Sequence, residues 1–466
     1  MQTRINDPHQ KALAINLDRS KYGTIAEIGA GQETARWFFR VGGAAGTIAR
    51  TMSAYDMKFS DSIYGPSPRY VSRQRLQSML DHEFDLLLQR LDEPRGSESA
   101  FFAFANTVAA RSFSYKADGH GWLGIRFQSE PRGPASQIHI HVNLHGKNHV
   151  QDQETLGVLG VNLIYCALHP HEDNEAMLLS LMDQLQTELV EIDMIECAGP
   201  VFPDVDDRLM ALRLVQHGFS RAAMFTADGH VAHAADALYK KSVLVERSRF
   251  HPPTQLTINL LDCAQQAFAA EADVNPDSVL VLSEMTLYNL DEGGDIDVQD
   301  FLNRADILCA LGKNVLISNY AGYFNLAQYL FRYTQLPCAI TMGLPSLQEI
   351  FDEKSYKDLP GGILESFGRL FNHGLRLYVC PIIDAATEQL TGIHELALEP
   401  HLKHLYAYLL ENGNIKALDT VKREYLSIHS HAVLDMIRNG SADWEAMVPA
   451  QVADIIKAKK LFHWPG

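Results

Sequence analysis

Cysteine is scarce in this chain. Cys166, Cys197, Cys263, Cys309, Cys338 and Cys380 are the only six in 466 residues, and no two form a C-x-x-C pair. That spacing excludes a zinc ribbon or a dithiol redox motif. Most sit in apolar runs, such as Cys338-Ala339-Ile340 and Val379-Cys380, and read as buried free thiols of a reducing compartment. Long apolar runs are also missing. None approaches the ~20 residues a membrane-spanning helix needs, and the polar start "MQTRINDPHQ" carries no signal-peptide pattern. A cytoplasmic protein without a membrane partner is expected. Positive charge is short as well: 40 Lys and Arg against 57 Asp and Glu give a net charge of −17. A general nucleic-acid binder needs a cationic surface to displace counterions, so nucleic acid is not an expected partner. The motifs G-x-S-x-G and H-E-x-x-H are absent too.

The remaining composition is that of a globular protein, 46% hydrophobic and 21% charged. The length exceeds most single cores, which predicts more than one domain. Residues 1–132 read as an α+β region. Within it, Leu76, Met79, Leu80, Phe84, Leu87 and Leu88 recur at three and four along Val71–Leu91, the spacing of an amphipathic helix. β-like runs follow in "AFFAFANTVAA", "GWLGIRFQ" and "QIHIHVNLH", with the loop "SEPRGPAS" before the last. Over residues 133–393, short apolar runs alternate with helix-period stretches, the rhythm of a parallel α/β fold. The count, starting from "QIHIHVNLH", favours a closed barrel, although a doubly wound open sheet gives the same rhythm. Residues 394–466 read as a C-terminal helical extension.

Three groups of residues are candidates for chemistry. The first is "EIGAGQETARWFFRVGGAAGT", with Gly29, Gly31, Gly43 and Gly46. A strand, a glycine turn and a helix N-terminus there would cradle a phosphate or cofactor, in the manner of the E-x-G-x-G loop of Rossmann methyltransferases. The dinucleotide pattern fails at Thr34, and no P-loop Lys follows Gly46. The competing reading is that these glycines allow close packing around Trp37, Phe38 and Phe39. The second group is His139 and His141, two apart and hence on one face of a strand, where they could hold a metal. No third ligand stands at a recognised spacing.

The third group lies at the ends of the α/β strands: Glu196, Glu246 with Arg247, Glu284, Asn319 with Tyr320, and Asp384. In parallel α/β folds such positions converge at the carboxyl edge of the sheet, where ligands bind. Glu196, Glu246 and Glu284 are the candidate acid/base or divalent-cation residues. Arg247, Asn319, Tyr320 and Asp384 are the candidate substrate-positioning groups. The acidic stretch "DEGGDID" (Asp291–Asp297) reads as a lid or an ordinary loop.

Several segments, "EIGAGQETARWFFRVGGAAGTIARTMSAYDM", "VNLIYCALH", "LYKKSVLVERSRF" and "NVLISNYAGYFNLAQYLFRY" among them, resemble a widespread bacterial family of about 460–490 residues. A nicotinate-nucleotide adenylyltransferase label travels with some proteins of this appearance. That activity needs H-x-G-H near the start and I-S-x-T-x-x-R late. Here "DGHGW" stands elsewhere, and "ISNYAGYF" lacks the Arg. The residues therefore predict an α/β protein, first an enzyme acting on a small anionic or phosphorylated metabolite, with a divalent cation as the conceivable cofactor. The alternatives are a non-catalytic ligand-binding or regulatory homo-oligomer and a nucleotidyltransferase-like nucleotide binder.

Overall fold

The computed structural model describes residues 4–111, 118–169, 171–287, 297–383 and 387–466. Its chain divides into a first unit ending at Arg221 and a second, Ala222–Gly466.

The first unit runs α1 (Pro8–Leu17), β1 (Lys21–Gly29), α2 (Thr34–Arg40), β2 (Ile48–Ala54), α3 (Met57–Tyr64), α4 (Arg73–Arg95), β3 (Ala100–Ala109), β4 (Gly119–Gln128), β5 (Ala135–Leu144), α5 (His149–Leu168), α6 (Asn174–Leu181), β6 (Val190–Ala198) and α7 (Asp207–Gln216). Its sheet has the order β2-β1-β3-β4-β5-β6. The first three strands are parallel, and β4, β5 and β6 each pair antiparallel with their neighbour. Helix α4 starts at Ser72, whose hydroxyl accepts from the Arg75 N–H. It buries the predicted Leu76, Met79, Leu80, Phe84 and Leu87 against one face of the sheet. Residues of α1, α2, α5, α6 and α7 join inward residues of β1 and β3–β6 in one core, with Phe104, Ile125, Ile140, Leu163 and Ile192 fully buried.

The second unit contains β7 (Ala222–Phe225), β8 (Val231–Ala232), α8 (Ala234–Ala237), β9 (Ser242–Arg247), α9 (Gln255–Ala269), β10 (Val279–Thr286), α10 (Val298–Ala310), β11 (Asn314–Ser318), α11 (Tyr323–Tyr333), β12 (Cys338–Gly343), α12 (Leu344–Ile350), α13 (Gly362–Leu370), β13 (Arg376–Cys380), the hairpin β14 (Ile382–Ile383) and β15 (Leu390–Thr391), α14 (Lys403–Glu411), β16 (Ile415–Ala417), α15 (Ser430–Arg438) and α16 (Ala450–Lys459). Its main sheet has the order β16-β13-β12-β9-β10-β11-β7-β8. The strands from β16 to β11 are all parallel. Numbered by their occurrence in the chain, these six read 3-2-1-4-5-6 from β11 to β16, the order of a doubly wound α/β sheet. The winding reverses between β9 and β12. One face packs on Leu326, Leu330, Leu347 and Phe367, and the other on Leu261, Ala264 and Phe268 of α9.

The α/β expectation holds, with specific differences. The parallel sheet is open, so the barrel alternative is not the architecture. The expected division at 132/133 falls in the turn joining β4 to β5 of one sheet. The segments "VEIDMIECAG" and "RAAMFTADG", which fall in the 133–393 stretch whose rhythm predicts parallel strands, hold β6 and β7, and both pair antiparallel. A strand buried on both faces is apolar along its length whichever way it runs, so composition alone does not report direction. The C-terminal residues do supply helices around the buried Trp444, yet Ile415–Ala417 return to the sheet as its edge strand β16.

Candidate functional site

The glycine segment answers its own question through Glu27. Gly29 turns the chain with φ of +78°. A Cβ there would meet the Val108 carbonyl oxygen at 2.3 Å, so the turn requires glycine. Gly31 is similarly pressed against Asn106. The N-terminus of α2, where a phosphate was expected, is taken by the buried Glu27 carboxylate. It accepts from Thr34 N at 2.8 Å, Ala35 N at 3.2 Å and the Asn106 side chain at 3.2 Å. Burial pushes the Glu27 carboxyl up, against the lowering effect of these bonds. Gly43 makes a turn with φ of +79° against Asn16, and a Cβ at Gly46 would meet nothing. Gly29, Gly31 and Gly43 are thus accounted for by turns and close packing, and Glu27 occupies the helix N-terminus that follows. Replacing Glu27 with Ala strips three buried donors of their acceptor. The expected cost is about 1–3 kcal/mol in urea unfolding of the first unit. A midpoint indistinguishable from wild type would contradict this assignment.

His139 and His141 share one face of β5, as their spacing predicts, but they have separate partners. His139 Nδ1 lies 3.7 Å from Glu196 Oε2. His141 Nδ1 contacts Asp193 Oδ1 at 2.6 Å, and its Nε2 contacts His120 Nδ1 at 3.1 Å. Glu196 also accepts from Arg73 Nε at 2.5 Å. Burial raises the Glu196 pKa, but the bonds from His139 and Arg73 outweigh it and hold the carboxyl below its usual range. Glu196 therefore belongs to β6 of the first unit, in an ion pair, and does not join Glu246 and Glu284 on one sheet.

Those two do meet on neighbouring strands of the second unit, but they project to opposite faces. Register places Arg247 beside Glu284, and Glu246 beside Ser283 and Thr341. On one face Arg247 grips the fully buried Glu284 with two bonds, Nε to Oε2 at 2.8 Å and Nη2 to Oε1 at 2.9 Å. Ser318 Oγ donates to Oε1 at 2.5 Å. Both carboxylate oxygens of Glu284 thus accept hydrogen bonds from within the fold. The pair also positions the turn after β11. Arg247 Nη1 donates to the Ala321 carbonyl at 3.0 Å, and its guanidinium lies 4.6 Å from the Tyr323 ring centroid. On the other face Glu246 is 3% exposed. Its Oε2 and the Ser283 hydroxyl are buried without a hydrogen-bond partner. Burial pushes the Glu246 carboxyl up to about 8, moderated by Lys313 and reinforced by Asp262.

Asn319 and Tyr320 follow β11 directly and are half-buried. The Tyr320 N–H donates to Ser318 Oγ at 3.4 Å, and its ring lies 5.7 Å from that of Tyr329. Asp384 and residues 291–296 of the acidic stretch lie outside the described residues.

Next to this edge is a cavity of about 370 Å³. It is lined by Gly322, Tyr323, Phe324 and Asn325 after β11, and by Glu349, Tyr356 and Asp358 beyond β12. Gly322 caps α11 without a side chain, leaving first-turn N–H groups open. Tyr323 bonds Ser346 in α12 through its side chain, tying the two walls together. None of the residues Tyr323, Phe324, Glu349 and Asp358 stood among the sequence candidates. The available signal was the tract "SNYAGYF", where an apolar strand gives way to a glycine and two aromatics.

No family model matches the chain, and no curated protein matches it either. Solved structures similar to parts of it include a competence/damage-inducible protein from Agrobacterium tumefaciens, with 17% identity over 39% of this chain and 99% of that one, at a TM-score of 0.25. A competence or damage-inducible protein from Enterobacter asburiae matches with 14% identity over 36% and 100%, at 0.26. A putative nicotinate-nucleotide adenylyltransferase from Vibrio parahaemolyticus matches with 13% identity over 48% and 95%, at 0.21.

Proposed function

We propose that the second unit binds a nucleotide in the cavity at the carboxyl edge of its sheet. The observation that carries the reading is topological. A 3-2-1-4-5-6 sheet takes its ligands beyond the carboxyl ends of its strands, and the cavity is lined by the turn after β11 and by the end of α12 with the segment that follows it. The walls suit such a ligand. Open N–H groups at the start of α11 favour a phosphate, Phe324 and Tyr356 offer surface to a base, and Glu349 and Asp358 offer acceptors to ribose hydroxyls. The role is one of binding. The three glutamates expected to act as acids or bases are ion-paired in the first unit (Glu196), bound to Arg247 and Ser318 (Glu284) or buried on the opposite face (Glu246).

Thermal-shift and calorimetric titration with nucleoside monophosphates tests this. A nucleotide at a hundred times its Kd stabilises the protein by about 2.7 kcal/mol. The pair of substitutions Glu349→Gln and Asp358→Asn is expected to weaken binding at least tenfold while leaving the unliganded melt unchanged. If no nucleotide shifts the melt, or the doubly substituted protein binds as tightly as wild type, the proposal fails.

A further inference from the structure

The antiparallel half of the first sheet gathers four polar side chains that the nucleotide reading does not use: His120 on β4, His141 and Asn143 on β5, and Asp193 on β6. Register explains why they meet. Trp122 lies opposite His141, and His120 opposite Asn143, so His120 is the diagonal neighbour of His141 on one face of the sheet. On the other side of β5 the pairing slips. His141 faces Met194 and Val142 faces Ile192, which leaves Asp193 as the extra residue of a bulge. Bulges re-aim side chains, and here the Asp193 carboxylate comes to rest against His141. Asp193 Oδ1 lies 2.6 Å from His141 Nδ1, and Asn143 Nδ2 donates to Asp193 Oδ2 at 2.8 Å. A carboxylate so placed keeps the imidazole proton on Nδ1 and the lone pair on Nε2. That Nε2 stands 3.1 Å from His120 Nδ1. One shared proton makes this contact a hydrogen bond. One shared metal ion fits the same gap, because two nitrogens at ~2.0–2.1 Å from a tetrahedral ion stand about 3.3 Å apart. Two further features suit an ion. A carboxylate behind a ligating imidazole is the arrangement that orients such ligands and raises their basicity. The Trp122 ring, its centroid 5.0 Å from that of His141, packs alongside and holds the imidazole in place. His120 is half-buried, and His141 is 1% exposed.

We infer that His120 Nδ1 and His141 Nε2 bind a divalent transition-metal ion of the zinc class, with Asp193 as the positioning residue behind His141. Imidazole nitrogens without a thiolate suit such an ion, and two of them leave its remaining coordination positions to ligands from outside the pair. The pair that strand spacing suggests, His139 and His141, gives way to this one, because His139 turns its Nδ1 to Glu196. Zinc titration of the chelator-stripped full chain, in competition with a chromophoric chelator, tests the assignment. A zinc-soaked crystal of the wild-type chain, measured at the zinc absorption edge, locates the ion. The expected result is an anomalous peak within about 2.0–2.3 Å of both nitrogens. His120→Asn and His141→Gln are each expected to weaken zinc at least tenfold, and Asp193→Asn by roughly 10–100-fold. His139→Gln should leave the affinity unchanged. Melting of the stripped proteins with and without zinc separates the metal site from folding: zinc raises the wild-type midpoint and leaves that of His120→Asn where it was. An anomalous peak away from these two rings overturns the assignment. So does a wild-type chain that retains no zinc at micromolar free ion, or full zinc affinity in His120→Asn.

Discussion

Arg247→Met is expected to destabilise the second unit by about 3–5 kcal/mol, because it leaves Glu284 charged and buried without its partner. The residual bond from Ser318 cannot compensate for two lost charge-assisted bonds. Glu284→Leu alone should cost a similar amount, since the Arg247 guanidinium, 7% exposed, then loses its carboxylate. The double variant Arg247→Met/Glu284→Leu should recover much of the loss, because an apolar pair of similar volume has no desolvation cost to offset. Urea unfolding of the three variants at pH 7 measures the cycle. If either single substitution cost under about 1 kcal/mol, the pair would have to be far more hydrated than its burial indicates. In both single variants the turn carrying Ala321 and Tyr323 also loses its anchor or the anchor's orientation, so nucleotide affinity should fall with stability.

The second large effect concerns Glu246 and has the opposite sign. Its folded-state pKa, about 8, lies above the usual carboxylate range, so between about pH 4.5 and 8 the folded chain holds a proton that the unfolded chain has released. Stability is therefore full below the unfolded value and falls as pH rises toward 8, by up to about 1.4 kcal/mol per pH unit. Glu246→Gln removes the ionisation and keeps the shape. It is expected to gain about 2–3 kcal/mol over wild type at pH 7 and almost nothing at pH 4.5. Chemical denaturation across that range would show a wild-type slope that is absent from the variant. Parallel pH profiles for the two proteins would mean that Glu246 is solvated or paired.

Much of the local architecture was legible from residue order. The six apolar positions of α4 follow the helical period, and five of them are buried. The runs around Phe102, Ile125 and Ile140 are strands of the first sheet, and those around Leu244, Leu282 and Leu316 lie in the second. Strand direction was not legible, because the apolar faces of β6 and β7 read the same in either sense. Glu196 was consequently placed with the wrong neighbours. Face was harder still. Glu246 and Glu284 each lie near the end of a strand, but the one-residue stagger between β9 and β10 that sets Glu284 beside Arg247 sends the two acids to opposite sides of the sheet. The glycine segment misled for a different reason. The feature that would hold a phosphate, a helix N-terminus after a glycine turn, is present, but a side chain two residues before that turn already fills it. Identity of the filling group depends on Asn106 and Thr34 closing in from elsewhere in the fold, which spacing does not reveal.

The most direct test of the proposed nucleotide site is a crystal structure of the full chain soaked with adenosine monophosphate. The account predicts the phosphate against the N–H groups of Tyr323 and Phe324, with the ribose toward Glu349 and Asp358. Density for the nucleotide elsewhere on the chain, or an empty cavity at saturating ligand, would contradict it.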